Sequence, residues 1–160
     1  MNESVRVFLA IELSAEVKSA LADLVEQLVR ADVRGLRPVK PDGMHLTLRF
    51  LGHVPTARVE LIVAEVSRVV KGVRPFALEI DGVGVFPDGV APRVLWVGVE
   101  GDLNLLRELH RRIGEALLGL GYRNERREFS PHLTLARMAD RAHSIDRRRA
   151  REAMFSARWE

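Results

Sequence analysis

The sequence predicts an α+β fold in which one strand–helix–strand unit is used twice. Three observations predict it. The string HLTL occurs at His45-Leu46-Thr47-Leu48 and again at His132-Leu133-Thr134-Leu135. Each copy is preceded, 39 residues upstream, by an Arg-Val pair that opens an apolar run: Arg6-Val7 in RVFLAIEL and Arg93-Val94 in RVLWVGVE. Strand-like and helix-like segments alternate along the whole chain, yet both HLTL strands follow loops rather than helices. That favours antiparallel sheets with helices on their outer faces over a doubly wound parallel sheet.

Taken in order, Val5–Leu13 is an apolar run with little alternation, which predicts a strand buried on both faces. Ser14 suits an N-cap, with Glu16 in the first turn. Val17, Leu21, Leu24, Val25 and Leu28 follow helical spacing, and the helix should end near Asp32 to Gly35. Leu36–Lys40 is a short strand and Pro41-Asp42-Gly43 a turn. Met44–Leu51 is the first His-x-Thr strand, ended by Gly52. Pro55-Thr56 starts a second helix with the stripe Val59, Ile62, Val63, Val66 and Val70.

Pro75–Phe86 reads as a strand in which Gly82 and Gly84 mark a bulge or a close backbone approach. Pro87-Asp88-Gly89 is a turn and Arg93–Glu100 the next strand. Asp102 suits the N-cap of a third helix carrying Leu103, Leu106, Leu109, Ile113, Leu117 and Leu120, ended by Gly119 and Gly121. Phe129–Arg137 holds the second His-x-Thr strand, entered through Pro131. A short helix should run from Ile145 to Ala153. Phe155, Ala157 and Trp159 then alternate like the opening of one more strand.

Composition sets bounds. At 160 residues the chain makes one domain, or two small lobes sharing a core, and 47% hydrophobic residues suffice for a packed interior. With no cysteine there is no disulfide framework and no thiolate metal site, as suits a reducing cytoplasm. No secretory leader and no membrane-length apolar run is visible. A net charge of +3 gives little bulk attraction to polyanions, so nucleic-acid recognition would rest on local Arg clusters. Neither a Walker loop nor a dinucleotide-binding glycine fingerprint is present, so nothing points to ATP or NAD.

The duplicated string carries the chemistry. Residues two apart on a strand share a face, so each HLTL turns a His and a Thr one way and two Leu the other. A single copy would be an ordinary packing strand; two copies at matched spacing point to a paired site. A facing pair of imidazoles can hold one member neutral as base and one protonated as acid. Each Thr hydroxyl can donate to a non-bridging phosphate oxygen. The arrangement suits displacement at phosphorus. Two His without carboxylates nearby make a poor zinc set.

FLAIEL, HLTLRFLG and SPHLTLAR resemble the two-histidine phosphoesterase superfamily over nearly the whole chain, and most of all its branch of RNA 2′,3′-cyclic phosphodiesterases, also called 2′-5′ RNA ligases. The resemblance implies two pseudo-symmetric lobes, each an antiparallel sheet flanked by helices, around a central cleft. It implies that His45 is the general acid and His132 the general base, that Thr47, Thr134 and Arg137 bind the substrate phosphate, and that no metal or other cofactor is needed. The implied reaction opens a terminal 2′,3′-cyclic phosphate on RNA to a 2′-phosphomonoester. The implied partner is that RNA end, with no membrane and no obligate protein partner; a cytoplasmic monomer is expected. Family members usually continue past the point where this sequence stops, which predicts a shortened C-terminal strand.

Alternatives stay open. The same site serves joining or cleavage of 2′,5′ bonds, and a non-catalytic RNA-end binding module would show the same motifs. Strand alternation puts Arg137, five residues after His132, on the opposite face unless the strand bends. Arg123, Arg126 and Arg127 read as a solvated loop and Arg147, Arg148, Arg149 and Arg151 as an exposed helix face. Phe8 and Phe50 suit core packing better than base stacking. His53, His110 and His143, lacking a Thr two residues on, read as surface residues.

Overall fold

In the computed structural model, which describes residues 3–158, six strands and four helices follow one another in the order the sequence predicts. They are β1 (Ser4–Glu12), α1 (Ala15–Arg30), β2 (Leu36–Pro38), β3 (His45–Pro55), α2 (Val59–Lys71), β4 (Leu78–Phe86), β5 (Val94–Gly101), α3 (Leu103–Gly119), β6 (His132–Met138) and α4 (Ser144–Ser156). Pro41–Gly43 and Thr56–Arg58 are single 3₁₀ turns. The strands form two sheets, one of β1 and β3 and one in the order β2-β6-β5-β4. Both neighbours of β6 run antiparallel to it.

The chain divides into two compact units. The first takes residues 1–11, 47–79 and 100–131, and so contains most of the β1–β3 sheet with α2 and α3. Its helices α2 and α3 pack on each other, and Ile62 and Val69 of α2 and Leu106, Leu109, Ile113 and Leu117 of α3 are buried. The second takes residues 12–46, 80–99 and 132–160, the four-stranded sheet with α1 and α4. There α1 packs on α4, with Leu21, Leu24 and Leu28 of the one and Ala150 and Met154 of the other buried, and Leu95, Val97, Leu133 and Leu135 are the buried residues of the sheet. The sequence repeat and the compact units are therefore not the same thing. The helix between β1 and β3 belongs to the unit of β6, and the helix between β5 and β6 belongs to the unit of β3.

Local chemistry explains most boundaries. The Ser14 hydroxyl accepts the Val17 N–H at 3.2 Å and caps α1. Gly84 makes the expected close approach: a Cβ there would lie 2.2 Å from the indole of Trp96. Asp102 precedes α3 but caps nothing in it; its carboxylate accepts the Ala77 N–H at 2.9 Å, beside β4.

Several expectations are corrected. No residue of β1 is fully buried, and Val5 and Phe8 are exposed, because the strand lies in a two-stranded sheet. Gly52 does not end β3. It takes a φ of +69°, and the strand runs on to Pro55, where Thr56 N–H donates to the Glu3 carbonyl at 3.0 Å. The inward stripe of α2 is Val59, Ile62, Val66 and Val69, while Val63 and Val70 are exposed. Phe155 sits in α4 rather than in a further strand, its ring under the Arg151 guanidinium at 4.7 Å; Ala157 caps that helix, and Trp159 lies outside the described residues.

Candidate active site

The two motif strands present their residues alike. Along β3, His45 and Thr47 are half-buried while Leu46, Leu48 and Arg49 are buried and Phe50 is exposed. Along β6, His132 and Thr134 are half-buried while Leu133, Leu135 and Ala136 are buried and Arg137 is exposed. In both, the alternation slips by one residue between the fourth and fifth positions. In β6 the cause is a bulge. Leu95 pairs with Ala136 and Trp96 with Thr134, which leaves Leu135 without a partner in β5. The slip returns Arg137 to the side of His132 and Thr134, where strict alternation would have put it on the other.

His132 has a built surrounding within its unit. Gly98 lies opposite it across the β5–β6 ladder, and a side chain there would run into the Asp81 carbonyl. The imidazole stands edge-on to Phe86, with centroids 5.2 Å apart and planes at 84°, and lies 6.2 Å from Trp96. Phe86 and Trp96 also touch each other at 5.0 Å. These rings fix the imidazole in orientation from one side. Beyond the strand, Arg147 is part-buried, not an exposed cation as its helix position suggested. Its guanidinium donates to the carbonyls of Ala139, Asp140, Ala142 and Pro92, at 3.1 to 3.2 Å, and so fastens the turn after β6.

The division between the two units falls inside the first motif, between Leu46 and Thr47. His45 is grouped with the unit that holds His132 and Thr134, and Thr47 with the other. Among the described residues no three His, Asp or Glu side chains gather as metal ligands.

The sequence reading missed Arg49. It is 4% exposed on the Leu side of β3, and it donates to Asn124 Oδ1 at 3.3 Å while its Nε has no hydrogen-bond partner. Phe50 N–H reaches Glu125 Oε1 at 3.4 Å. A cavity of about 260 Å³ opens here, lined by Arg49, His110, Arg111, Gly114, Glu115, Asn124 and Glu125. It lies on the Arg49 side of β3, away from the His45–Thr47 side. His110 is half-buried rather than exposed: it stacks on Phe129 at 4.1 Å with planes at 6°. Burial, helped by the Arg49 charge, lowers its pKa from 6.5 against the opposing pull of Glu125. The signal for Arg49 was the repeat itself, which sets Arg beside Ala136 at one motif position.

A family profile described as LigT-like phosphoesterase matches residues 11–96. An RNA 2′,3′-cyclic phosphodiesterase of Archaeoglobus fulgidus is 33% identical over 133 residues, 83% of this chain and 72% of the relative. The chain belongs to the LigT-like phosphoesterase family. A Thermotoga maritima relative of the same description is 34% identical over 83% of this chain and 70% of its own length. Among solved structures, that of TT0787 from Thermus thermophilus superposes with a TM-score of 0.72 at 32% identity, covering 87% of this chain and 77% of that one. E. coli LigT complexed with 3′-AMP gives 0.67 at 27%, covering 88% and 78%. No described helix is long and apolar enough to cross a membrane.

Proposed function

We propose that the chain hydrolyses 2′,3′-cyclic phosphate ends of RNA to 2′-phosphomonoesters, without a metal, using His132 as base and His45 as acid. The observation that carries the reading is the shared pattern of the two strands, each turning one His and one Thr away from its leucines. Membership of the family, and relatives described as RNA 2′,3′-cyclic phosphodiesterases, support the same chemistry.

In this scheme His132 takes a proton from water as its oxygen attacks phosphorus. The bond from phosphorus to the ribose O3′ breaks, and His45 gives its proton to that oxygen. The products are a 2′-phosphomonoester and a free 3′-hydroxyl; solvent then resets both imidazoles. Thr47 and Thr134 donate to the non-bridging oxygens, where charge builds during attack. Arg137, on the His132 side of its strand, supplies a cation to the same phosphate. The protein works as a monomer in the cytoplasm.

The test is an RNA oligonucleotide with a terminal 2′,3′-cyclic phosphate, incubated with the protein in excess chelator. A 2′-phosphate product is expected, with His45→Ala and His132→Ala each slowed about 10² to 10⁴-fold. Unchanged turnover in either variant would remove the proposal. A 3′-phosphate product would overturn the choice of leaving oxygen. Joining of ends, or cleavage of 2′,5′-linked RNA in preference to the cyclic phosphate, would move the same site to another substrate.

A further inference from the structure

We propose that Arg37, one strand outward from Arg137, binds the phosphodiester that joins the terminal nucleotide to the rest of the RNA. This rests on the phosphodiesterase reading and deepens it: the preferred substrate is an RNA chain rather than a cyclic mononucleotide. The sequence reading passed over Arg37, and the sheet brings it forward. β2 runs antiparallel to β6 with Arg37 opposite Arg137. Directly opposed residues of an antiparallel pair project from the same face, with Cβ atoms roughly 5 Å apart. The bulge in β6 turns Arg137 to the side of His132 and Thr134, so Arg37 stands on that side too. Pro38, next in β2, pairs instead with the buried Ala136. Arg37, Arg137, His132, Thr134 and His45 all belong to one compact unit.

The pairing is unfavourable until an anion joins it. Like charges directly opposite across a ladder repel. Both side chains are exposed, and among the described residues neither guanidinium is in an ion pair. Other arginines are engaged. Arg30, Arg68 and Arg111 pair with glutamates, Arg58 donates to the Leu120 carbonyl, and Arg147 donates to four carbonyls. β2 is an edge strand, and a charge on an edge keeps other strands from adding to it. That accounts for a charge at position 37 but not for its sign. An acid there would guard the edge equally and attract Arg137 as well.

The position selects the ligand. Thr134 lies three residues from Arg137 along β6, roughly 10 Å, and β2 adds one strand spacing of about 4.8 Å. With the reacting phosphate at Thr134 and the nearer guanidinium, an RNA strand that leaves past Arg137 meets Arg37 next. A planar guanidinium suits phosphate oxygens. Every RNA carries the same phosphodiester at this point, so the contact holds the chain without reading its sequence.

The experiment compares adenosine 2′,3′-cyclic phosphate, the adenylyl-adenosine dinucleotide ending in the same cyclic phosphate, and that dinucleotide with a neutral methylphosphonate linkage. Wild type should favour the charged dinucleotide over both others in kcat/KM, through a lower KM. Arg37→Gln should cut that preference about tenfold, and Arg37→Lys should keep most of it. For the charged dinucleotide, the slope of log KM against log salt should flatten by about 0.7 in Arg37→Gln. An unchanged preference overturns the proposal, and so does an equal loss on the charged and neutral dinucleotides. If wild type hydrolyses none of the three, the phosphodiesterase reading fails on its own account. Binding of the dinucleotide ending in a 2′-phosphate then decides for Arg37. Weaker binding by Arg37→Gln, with adenosine 2′-phosphate held equally by both proteins, keeps the subsite; equal affinity for the dinucleotide removes it.

Discussion

The strands β3 and β6 share four identical residues and one pattern of burial, yet they stand in different surroundings. β6 is an interior strand, paired with β2 and β5, and its fifth motif residue, Ala136, is fully buried. β3 is paired with β1, and at the same position it carries Arg49, buried and reaching to Asn124. One position further on, β6 has a cation and β3 an aromatic ring. The leucines are alike because both strands bury them. The fifth and sixth positions differ because one strand fills its rear with sheet and helix packing, and the other closes over a polar cavity. A duplicated motif thus keeps its His and Thr and diversifies at its distal end.

Substitutions can break or sharpen that comparison. The largest effect is expected from putting one strand's residue into the other. Ala136→Arg places an unpaired charge where there is no room, and should cost about 3 kcal/mol or more in denaturant unfolding. Arg49→Ala should cost less, about 1–3 kcal/mol, because it strands only the Asn124 amide oxygen and leaves a space that water can enter. Equal losses would mean the two rears are not different. Next come the hydroxyls. Thr47→Val and Thr134→Val should each lower kcat about 10²-fold. A loss at one alone would show that only one strand serves the phosphate. Arg137→Gln should raise KM for the cyclic phosphate about tenfold, with little change in stability, as its side chain is exposed.

The smallest effect concerns the cavity behind β3. The folded protein holds His110 with its pKa below 6.5. The unfolded chain binds that proton more readily, so stability falls as pH drops through 6.5 toward the folded value. His110→Phe keeps a ring on Phe129 and removes the titration. Thermal midpoints at pH 7.5 and pH 5 should therefore lie closer together in the variant than in the wild type.

What could be read in the sequence was whatever local chemistry decides. The duplicated HLTL, the Ser14 cap, the helical stripe of α3 and the small residue at Gly84 each announce themselves within a few positions. The missing parts depended on partners far along the chain. Strand alternation fails at Leu48–Arg49 and Leu135–Ala136, and only the ladder with β5 reveals the bulge that brings Arg137 round. Arg147 looked solvated because its four carbonyl partners lie in turns and in the segment before β5, which no helix pattern foretells. Phe8 and Phe50 looked like core because apolar strand residues usually are. The two-stranded sheet leaves both rings exposed. Nor could the repeat foretell that each intervening helix belongs to the other unit.

The claim on which everything else depends is that two like strands deliver unlike protonation states. The most direct measurement is the pH dependence of kcat/KM for cyclic-phosphate hydrolysis in wild type, His45→Ala and His132→Ala. Wild type should give a bell. His132→Ala should lose the rise on the acid side, which reports a base becoming neutral, and His45→Ala should lose the fall on the alkaline side, which reports an acid giving up its proton. A bell of unchanged shape in both variants would contradict the account.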